Sequence, residues 1–217
     1  MLSGRHKHYG LDMRRGLLIG VLALAFAAPV ASAPPTITIQ SNTKVAEGWQ
    51  TFQVYGAVSG PSAGEPIDVE AYLCDGYGIW ESERKTETGT NGTWVTTVGV
   101  LANAKLRARW RGGFSNAISV DVHPHMLLQH AGPNRYGVSV DANSFFDGKH
   151  GVLERLVGTR WVRVRSFTLS GHHSFGVAWS TARFGAHEKA GTNLRAVLPK
   201  SQVGRCYLAG FSNTIKA

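Results

Sequence analysis

The chain has 217 residues and a formal net charge of +9, with 26 glycines and only two cysteines. Its length suits one large or two small domains. Valine, threonine and aromatic residues are plentiful, and no long apolar segment with a 3.6-residue period follows residue 33. This pattern argues against a helical protein and indicates an all-β fold.

The positive charge is unevenly distributed along the chain. Residues 1–33 carry a net +3, residues 34–123 a net −2 and residues 124–217 a net +8. A strongly basic region attracts anionic polymers, such as nucleic acid, a cell-wall polyanion or an acidic glycan. A basic surface that only keeps the protein soluble has the same signature, so both interpretations stay open.

The N-terminal segment has the pattern of an export signal. An Arg14–Arg15 pair precedes the apolar run 16–30, which ends in Ala-Ser-Ala at 31–33. We therefore predict a signal peptide over residues 1–33, with Met13 as an alternative start. The run is short for a membrane-spanning helix. We expect a secreted, extracellular protein without a membrane anchor after cleavage.

Residues 36–123 alternate between apolar and polar positions, with turn-forming residues at regular intervals. The predicted strands cover 36–39, 52–58, 67–74, 81–87, 94–100, 105–111 and 118–122. Asn91–Gly92 predicts a two-residue hairpin, because both residue types tolerate a positive φ. Seven short antiparallel strands predict a two-sheet sandwich.

Two short motifs recur in the second half of the chain. Leu-Arg-Ala occurs at 106–108 and 194–196, and Gly-Phe-Ser-Asn follows at 113–116 and 210–213. Repetition at this spacing indicates a duplicated structural unit. The strands predicted for the second unit cover 125–130, 136–142, 152–157, 160–165, 175–179, 194–198 and a closing segment near the C-terminus.

The strand pattern, the repeated motifs and a tryptophan near the start of each fourth strand resemble tandem immunoglobulin-like or fibronectin-type-III-like modules of secreted bacterial proteins. Trp80 and Trp161 are those tryptophans. The resemblance covers nearly all of residues 36–217. It implies two tandem seven-stranded antiparallel β-sandwiches, in domains at 34–123 and 124–217. It also implies binding, spacing or display rather than catalysis, and it supplies no catalytic residue.

The two cysteines are predicted to form a disulfide between the two units. Both reach an oxidising compartment after export, where a pair of thiols tends to bridge. Cys74 ends the third strand, at the pole where the chain leaves for the second unit. Cys206 lies in a lengthened connection of the second unit, which points back toward the first.

Basic side chains on two predicted strands form candidate ligand-binding faces. The sixth strand carries four of them on one side, and the fourth strand of the second unit carries two beside a tryptophan, if a bulge keeps that ring outward. These residues are Lys105, Arg107, Arg109, Arg111, Trp161, Arg163 and Arg165. Basic residues interleaved with aromatic rings can grip a polyanion. A solvated sheet face is the alternative.

Several weaker patterns suggest other sites. Loop aromatics that can stack on sugars or cap the sandwich ends are Trp49, Tyr77, Phe145 and Phe146. Candidate metal ligands are His123, His125 and His130 at the junction, and Asp141, Asn143 and Asp147 in one loop. The histidines have no placed third ligand, and the spacing in the loop departs from the twelve-residue calcium loop, so we expect neither a metal nor a cofactor. Gly60–Gly64 fits the Gly-x-Ser-x-Gly nucleophile pattern, but a strand follows it where a hydrolase needs a helix.

The sequence therefore predicts a secreted, non-catalytic protein with a binding or structural role. The first alternative is a module that binds polysaccharide or a cell-wall polyanion, and the second is a secreted hydrolase. A cell-wall polymer, a glycan or a surface protein is the expected partner. Nucleic acid is not expected, because an exported protein meets it less often than wall polymers.

Overall fold

The computed structural model describes residues 36–60, 63–174 and 177–217. The predicted signal peptide, Ser62 of the Gly-x-Ser-x-Gly pattern and Phe175 of a predicted strand lie outside these residues. In the described part of the chain nearly all regular structure is β-strand, and the one helix has four residues.

The first half of the described chain forms two sheets. Its strands are β1 (Gln40–Ser41), β2 (Val45–Glu47), β3 (Thr51–Ala57), β4 (Pro66–Leu73), β5 (Glu81–Glu87), β6 (Thr93–Gly99), β7 (Ala104–Trp110), β8 (Gly113–Phe114) and β9 (Ile118–His123). One sheet has the order β1-β3-β6, and the other has the order β2-β9-β7-β4-β5, with β8 beside β7. All neighbours are antiparallel except β2 and β9.

The second half repeats this arrangement. Its elements are β10 (His125–Gly132), β11 (Arg135–Ala142), β12 (His150–Val157), β13 (Arg160–Thr168), β14 (Ser170–Ser174), β15 (Val177–Gly185), β16 (Asn193–Leu198), α1 (Lys200–Val203), β17 (Gly210–Phe211) and β18 (Ile215–Lys216). One sheet has the order β10-β11-β15-β14, and the other has the order β13-β12-β16-β17, with β18 also beside β16.

In each half, the two sheets pack their apolar faces together as a sandwich. The first core contains Val54 and Trp94 from the three-stranded sheet and Val69 and Leu106 from the six-stranded sheet, each almost fully buried. Alternating inward residues on facing sheets produce such a core. The strand order is immunoglobulin-like, because β3 and β6 take the B and E positions while β4, β7 and β9 take C, F and G. The predicted all-β class with two tandem sandwiches is confirmed.

Two local predictions were wrong. Asn91–Gly92 does not form a hairpin, because β5 and β6 belong to different sheets, and Gly92 has a positive φ of 75° while Asn91 does not. The turn with two positive φ values is Arg111–Gly112, which joins β7 to β8. No strand was predicted between residues 165 and 175, yet β14 (Ser170–Ser174) lies there. The domain limits at 123 and 124 stay a prediction, although the change between sheets falls between β9 and β10.

The disulfide joins the two sandwiches. Cys74 follows β4 and bonds to Cys206, with an S–S distance of 2.06 Å and a Cα–Cα distance of 5.3 Å. This is the pairing that the sequence predicts. Backbone hydrogen bonds on both sides support it, because Asn103 accepts from the Cys74 N–H at 2.8 Å and donates to the Cys206 carbonyl at 2.9 Å.

Asp75 provides a second set of contacts between the sandwiches. Its carboxylate accepts hydrogen bonds from Asn143 Nδ2 at 3.0 Å, from Ser144 Oγ at 2.5 Å and from the Tyr207 hydroxyl. Burial and the bond to Asp75 raise the pKa of Tyr207, so its hydroxyl stays protonated and donates. The residues beside the disulfide are therefore held by polar contacts as well as by the covalent bond.

Replacing both cysteines, Cys74→Ser with Cys206→Ser, should lower the free energy of unfolding by up to about 5 kcal/mol, because the bond closes a very long loop in the unfolded chain. Urea unfolding of the oxidised protein and of the variant measures the difference. The reduced wild-type protein should match the variant. Peptide mapping that finds two free thiols in the oxidised protein would contradict the pairing.

Candidate functional site

The outer face of the β4–β7 pair carries an arginine held by one carboxylate and two aromatic rings. Arg107 is opposite Glu70 in the strand register, and its Nε and Nη2 atoms both lie 2.7 Å from Glu70 Oε2. Its Cζ atom lies 4.2 Å from the centroid of the Trp80 ring and 3.9 Å from that of Phe114. We call these four side chains the first arginine cage.

The second sandwich contains the same arrangement. Arg195 is opposite Glu154, and its Nε and Nη2 atoms both lie 2.8 Å from Glu154 Oε2. Its Cζ atom lies 4.2 Å from the Trp161 ring centroid and 5.2 Å from that of Phe211. These four side chains form the second arginine cage.

The repeated sequence motifs explain why the cages are equivalent. Each arginine is the middle residue of a Leu-Arg-Ala motif, and each phenylalanine is the second residue of Gly-Phe-Ser-Asn. In the first copy, the Ala108 N–H donates to Ser115 Oγ at 2.9 Å, and the Ser115 N–H donates to the Ala108 carbonyl. In the second copy, Ala196 and Ser212 make the same two bonds. The serine therefore fixes the segment that places the phenylalanine over the arginine.

A bulge brings the tryptophan to each cage. The register shifts just before Glu70 in the β4–β5 hairpin and just before Glu154 in the β12–β13 hairpin. One extra residue on the outer strand changes which side chains face outward beyond that point. The shift leaves Trp161 on the same side of the sheet as Glu154. This is the outward position that was predicted for the ring if a bulge was present.

The cages contain several residues that were not predicted as ligand-binding residues. Arg107 and Trp161 were among the candidate ligand-binding residues, but Glu70, Glu154 and Arg195 were not. Phe114 and Phe211 were noted only as parts of the repeat. The repeated motifs could have indicated the cages, because each motif contributes one residue to each cage. The contact between the two motifs depends on strand pairing, which the motifs alone do not reveal.

The predicted basic face of the first sandwich is largely neutralised. Arg109 Nη2 lies 2.6 Å from Asp68, and Arg111 Nη2 lies 2.7 Å from Glu65. Lys105 is exposed, and Arg111 follows the end of β7 in a turn. Three of the four predicted basic residues, including caged Arg107, therefore pair with carboxylates on the same surface. Whether this face binds a ligand stays a prediction.

The prediction that Arg163 and Arg165 share one face is wrong. The β12–β13 bulge pairs Arg163 with Glu154 but Arg165 with Leu153. Successive residues of a strand point to opposite sides, so the two arginines diverge. Arg163 stays on the side of the second cage and bonds to Ser166. Arg165 instead donates to a backbone carbonyl of β15.

The four predicted loop aromatics differ in their solvent exposure. Tyr77 is 93% exposed and Trp49 is 51% exposed, so both rings are accessible. Phe145 is also partly exposed. Phe146 is buried and packs edge-to-face on Tyr207, with the ring centroids 5.4 Å apart. Phe146 therefore belongs to the core at the junction.

The candidate metal ligands have other partners. His123 Nδ1 contacts the Ala209 carbonyl at 2.5 Å, and His125 Nδ1 lies 2.8 Å from Glu47. Asn143 binds Asp75, and Asp147 Oδ1 accepts a hydrogen bond from the Gly171 N–H at 2.8 Å. His130 Nε2 contacts the Lys216 carbonyl. Within residues 36–60, 63–174 and 177–217, no three metal-ligating side chains come together.

Comparisons with known proteins add little to this description. No protein-family model matches the chain, and no curated protein matches it. Among solved structures, the chain is similar to bovine butyrophilin, with 9% sequence identity and a TM-score of 0.32 over 85% of this chain and 99% of that chain. Similarity at this level supports no conclusion about function. No helix in the described part of the chain has the length and apolar content needed to span a membrane.

Replacing a cage arginine with lysine should destabilise the protein although the charge is kept. Arg195→Lys loses the planar contact with the two rings and the two-nitrogen bond to Glu154. We expect a loss of about 1–2 kcal/mol in the free energy of unfolding, measured by urea titration. Arg160→Lys, at an exposed position of β13, is the control. Equal effects of the two substitutions would contradict a structural contribution of the cage.

Stability should also depend on pH through Glu65. Hydrogen bonds from Arg111 and Trp110 lower the pKa of Glu65 below its ordinary value of 4.5. A lowered folded-state pKa stabilises the protein above the unfolded-state pKa, and this contribution is lost as the pH falls through the folded-state pKa. Urea midpoints measured from about pH 6 to about pH 3 should fall less steeply for Glu65→Gln than for wild type. Parallel curves would contradict the assignment.

Proposed function

We propose that this protein is an exported, non-catalytic binding protein whose two sandwiches present the same aromatic surface twice. The observation that carries the proposal is the exposure of the cage phenylalanines. Phe114 is 50% exposed and Phe211 is 43% exposed. A ring that served packing alone would gain free energy from full burial. Each ring instead keeps one side against an arginine and offers the rest to solvent.

The composition of the cages supports contact with a partner. Tryptophan and arginine are the residues most enriched among those that dominate binding energy at interfaces. Each cage arginine already has its charge balanced by a glutamate, so a partner that covers it meets no unpaired charge. Arg107 and Arg195 retain 23% and 25% side-chain exposure, and both can still be reached from the surface.

The duplication favours a ligand with repeated units. Two equivalent sites on one rigid body bind a repetitive polymer more tightly than either site alone, since the second contact becomes intramolecular. The disulfide and the Asp75 contacts hold the relative position of the two sandwiches. A polysaccharide of the cell surface or wall has repeated units, and its sugar rings have flat apolar faces that match an aromatic ring. We therefore propose an extracellular polysaccharide as the ligand.

The proposal includes export, which rests on the sequence. The Arg14–Arg15 pair, the apolar run 16–30 and the Ala-Ser-Ala end at 31–33 are typical of a signal peptide. A disulfide between the only two cysteines also suits an oxidising compartment.

Retention on insoluble polysaccharides and cell-wall preparations tests the proposal. Phe114→Ala and Phe211→Ala should each lower the apparent affinity about 100-fold, because either change removes the intramolecular second contact, and the double variant should lose retention altogether. Tyr55→Ala is the matched control, since that exposed aromatic lies on the three-stranded sheet. Equal retention of the double variant and wild type would contradict a binding role for the cages.

A rigid spacer is the second candidate, and the covalent junction favours it. A spacer needs a fixed angle between its sandwiches but no exposed ligand surface. If wild type binds no polysaccharide while the cysteine variant changes the shape of the protein in small-angle scattering, the spacer is the better assignment. Substrate screening of wild type and Ser62→Ala tests the hydrolase alternative separately.

A further inference from the structure

Two arginines lie diagonally across neighbouring strands on the outer face of the four-stranded sheet. In the register of β11 and β15, Arg135 is opposite Gly185, and Gly137 is opposite Arg183. Residues two apart on a strand point to the same side, so both arginines and both glycines occupy one face. Tyr136, between Arg135 and Gly137, points inward and is 2% exposed. The outer face therefore has two cations and two positions without side chains.

Of the two glycines, Gly185 lines an open cleft beside the arginines, whereas Gly137 lies next to the Gln129 side chain. A surface cleft of about 450 Å³ is lined by Ala131, Arg135, Arg183, Phe184 and Gly185. We call it the arginine cleft. A Cβ atom at Gly137 would lie 3.6 Å from Gln129 Cγ, and one at Gly185 would lie 3.5 Å from the Asn134 carbonyl oxygen. Both are ordinary contacts, and neither glycine has a positive φ.

The backbone therefore does not require glycine at either position. Glycine weakens a strand, and inside a strand it often marks a site where a ligand approaches closely. Two arginines beside glycines form a surface on which a ligand can lie between the guanidinium groups.

Within the described part of the chain, Arg135 and Arg183 of the arginine cleft have no carboxylate partner. Within the described residues, neither Arg135 nor Arg183 makes a hydrogen bond or an ion pair with another side chain. A third guanidinium adjoins the cleft, because Arg165 donates to the Gly185 carbonyl and lies 5.6 Å from the Phe184 ring centroid.

The carboxylates of this region are either paired with another residue or far from the arginine cleft. Glu188 pairs with Arg155 at 3.2 Å, and its side chain is only 6% exposed. Asp141 lies at the other end of β11, opposite Trp179. Like charges close together on a sheet destabilise it. An external anion would offset this cost.

We propose that the arginine cleft binds the oxyanion groups of an anionic polysaccharide. Guanidinium groups match carboxylate, sulfate and phosphate groups with two parallel hydrogen bonds. Diagonal neighbours on adjacent strands lie about 7–8 Å apart, within reach of one anionic group or two successive ones. Exposed arginines hold a single small ion weakly in water, so a polymer with many anionic groups fits better.

The remaining charge of the second sandwich supports the same ligand. Residues 124–217 carry a net +8, which raises the local concentration of a polyanion. The arginine cleft lies on the sheet opposite the second cage, so the inference holds whether or not the cages bind a ligand.

Binding of the full exported chain to dextran sulfate, polygalacturonate and neutral dextran tests this site. Arg135→Gln with Arg183→Gln should lower the affinity for one or both charged polymers at least tenfold. Arg160→Gln with Lys189→Gln removes the same charge from exposed positions elsewhere in the second sandwich and should have a much smaller effect. The two charged polymers separate sulfate from carboxylate recognition, and binding of either one supports the site.

A second pair of variants narrows the arginine cleft without changing charge. Ala131→Val and Gly185→Val enlarge two residues that line it and should weaken binding of the charged polymers, while urea unfolding shows that the protein remains folded. The proposal is overturned if both double-glutamine variants weaken binding equally, if neutral dextran binds as well as the charged polymers, or if wild type binds neither charged polymer. Unchanged binding by folded valine variants would also overturn it.

Discussion

The hydroxyl of one serine in each sandwich fixes the geometry on which both cages depend. Ser115 accepts from the Ala108 N–H, and its own hydroxyl donates to the Asn116 carbonyl at 2.8 Å. The side chain thus replaces a backbone partner where the short β8 strand ends, and such a bond contributes about 1 kcal/mol. Together with the Ser115 N–H bond to the Ala108 carbonyl and the pairing of β8 with β7, this bond positions the preceding phenylalanine over the arginine. Ser212 does the same in the second sandwich, so one local interaction explains why two cages formed from distant residues are alike.

Much of the fold could be predicted because it depends on local patterns. Alternating apolar residues located most strands, and the repeated motifs revealed the duplication. The disulfide followed from strand order and from the long connection that contains Cys206. The errors came from choices that local patterns do not determine. Asn91–Gly92 has the composition of a hairpin, yet β5 pairs with β4 and β6 pairs with β3, in different sheets. Local turn chemistry favours a bend but does not choose the partner strand.

The candidate sites show the same limit. Four basic residues on one strand predicted a cationic face, but the adjacent strand β4 contributes Asp68 and Glu70, and the loop before it contributes Glu65. Cross-strand pairing brought these acids to the arginines and turned a basic stripe into a set of ion pairs. In the second sandwich, one bulged residue separated Arg163 from Arg165. Strand partners and single-residue register shifts are non-local properties, so a face inferred from one strand is incomplete.

The contrast between the two sandwiches follows from this distribution of acids. The first has carboxylates on β4 and in the loop before it that pair with three of its arginines, and its outer surface is an ion-pair network. The second has the same cage but few other acids, so most cations outside the cage have no carboxylate partner within the described part of the chain. The duplicated parts therefore maintain the fold and repeat one aromatic surface, whereas the charge imbalance is particular to the second copy. The disulfide and the Asp75 contacts join the sandwich with the ion-pair network to the sandwich with the excess of positive charge.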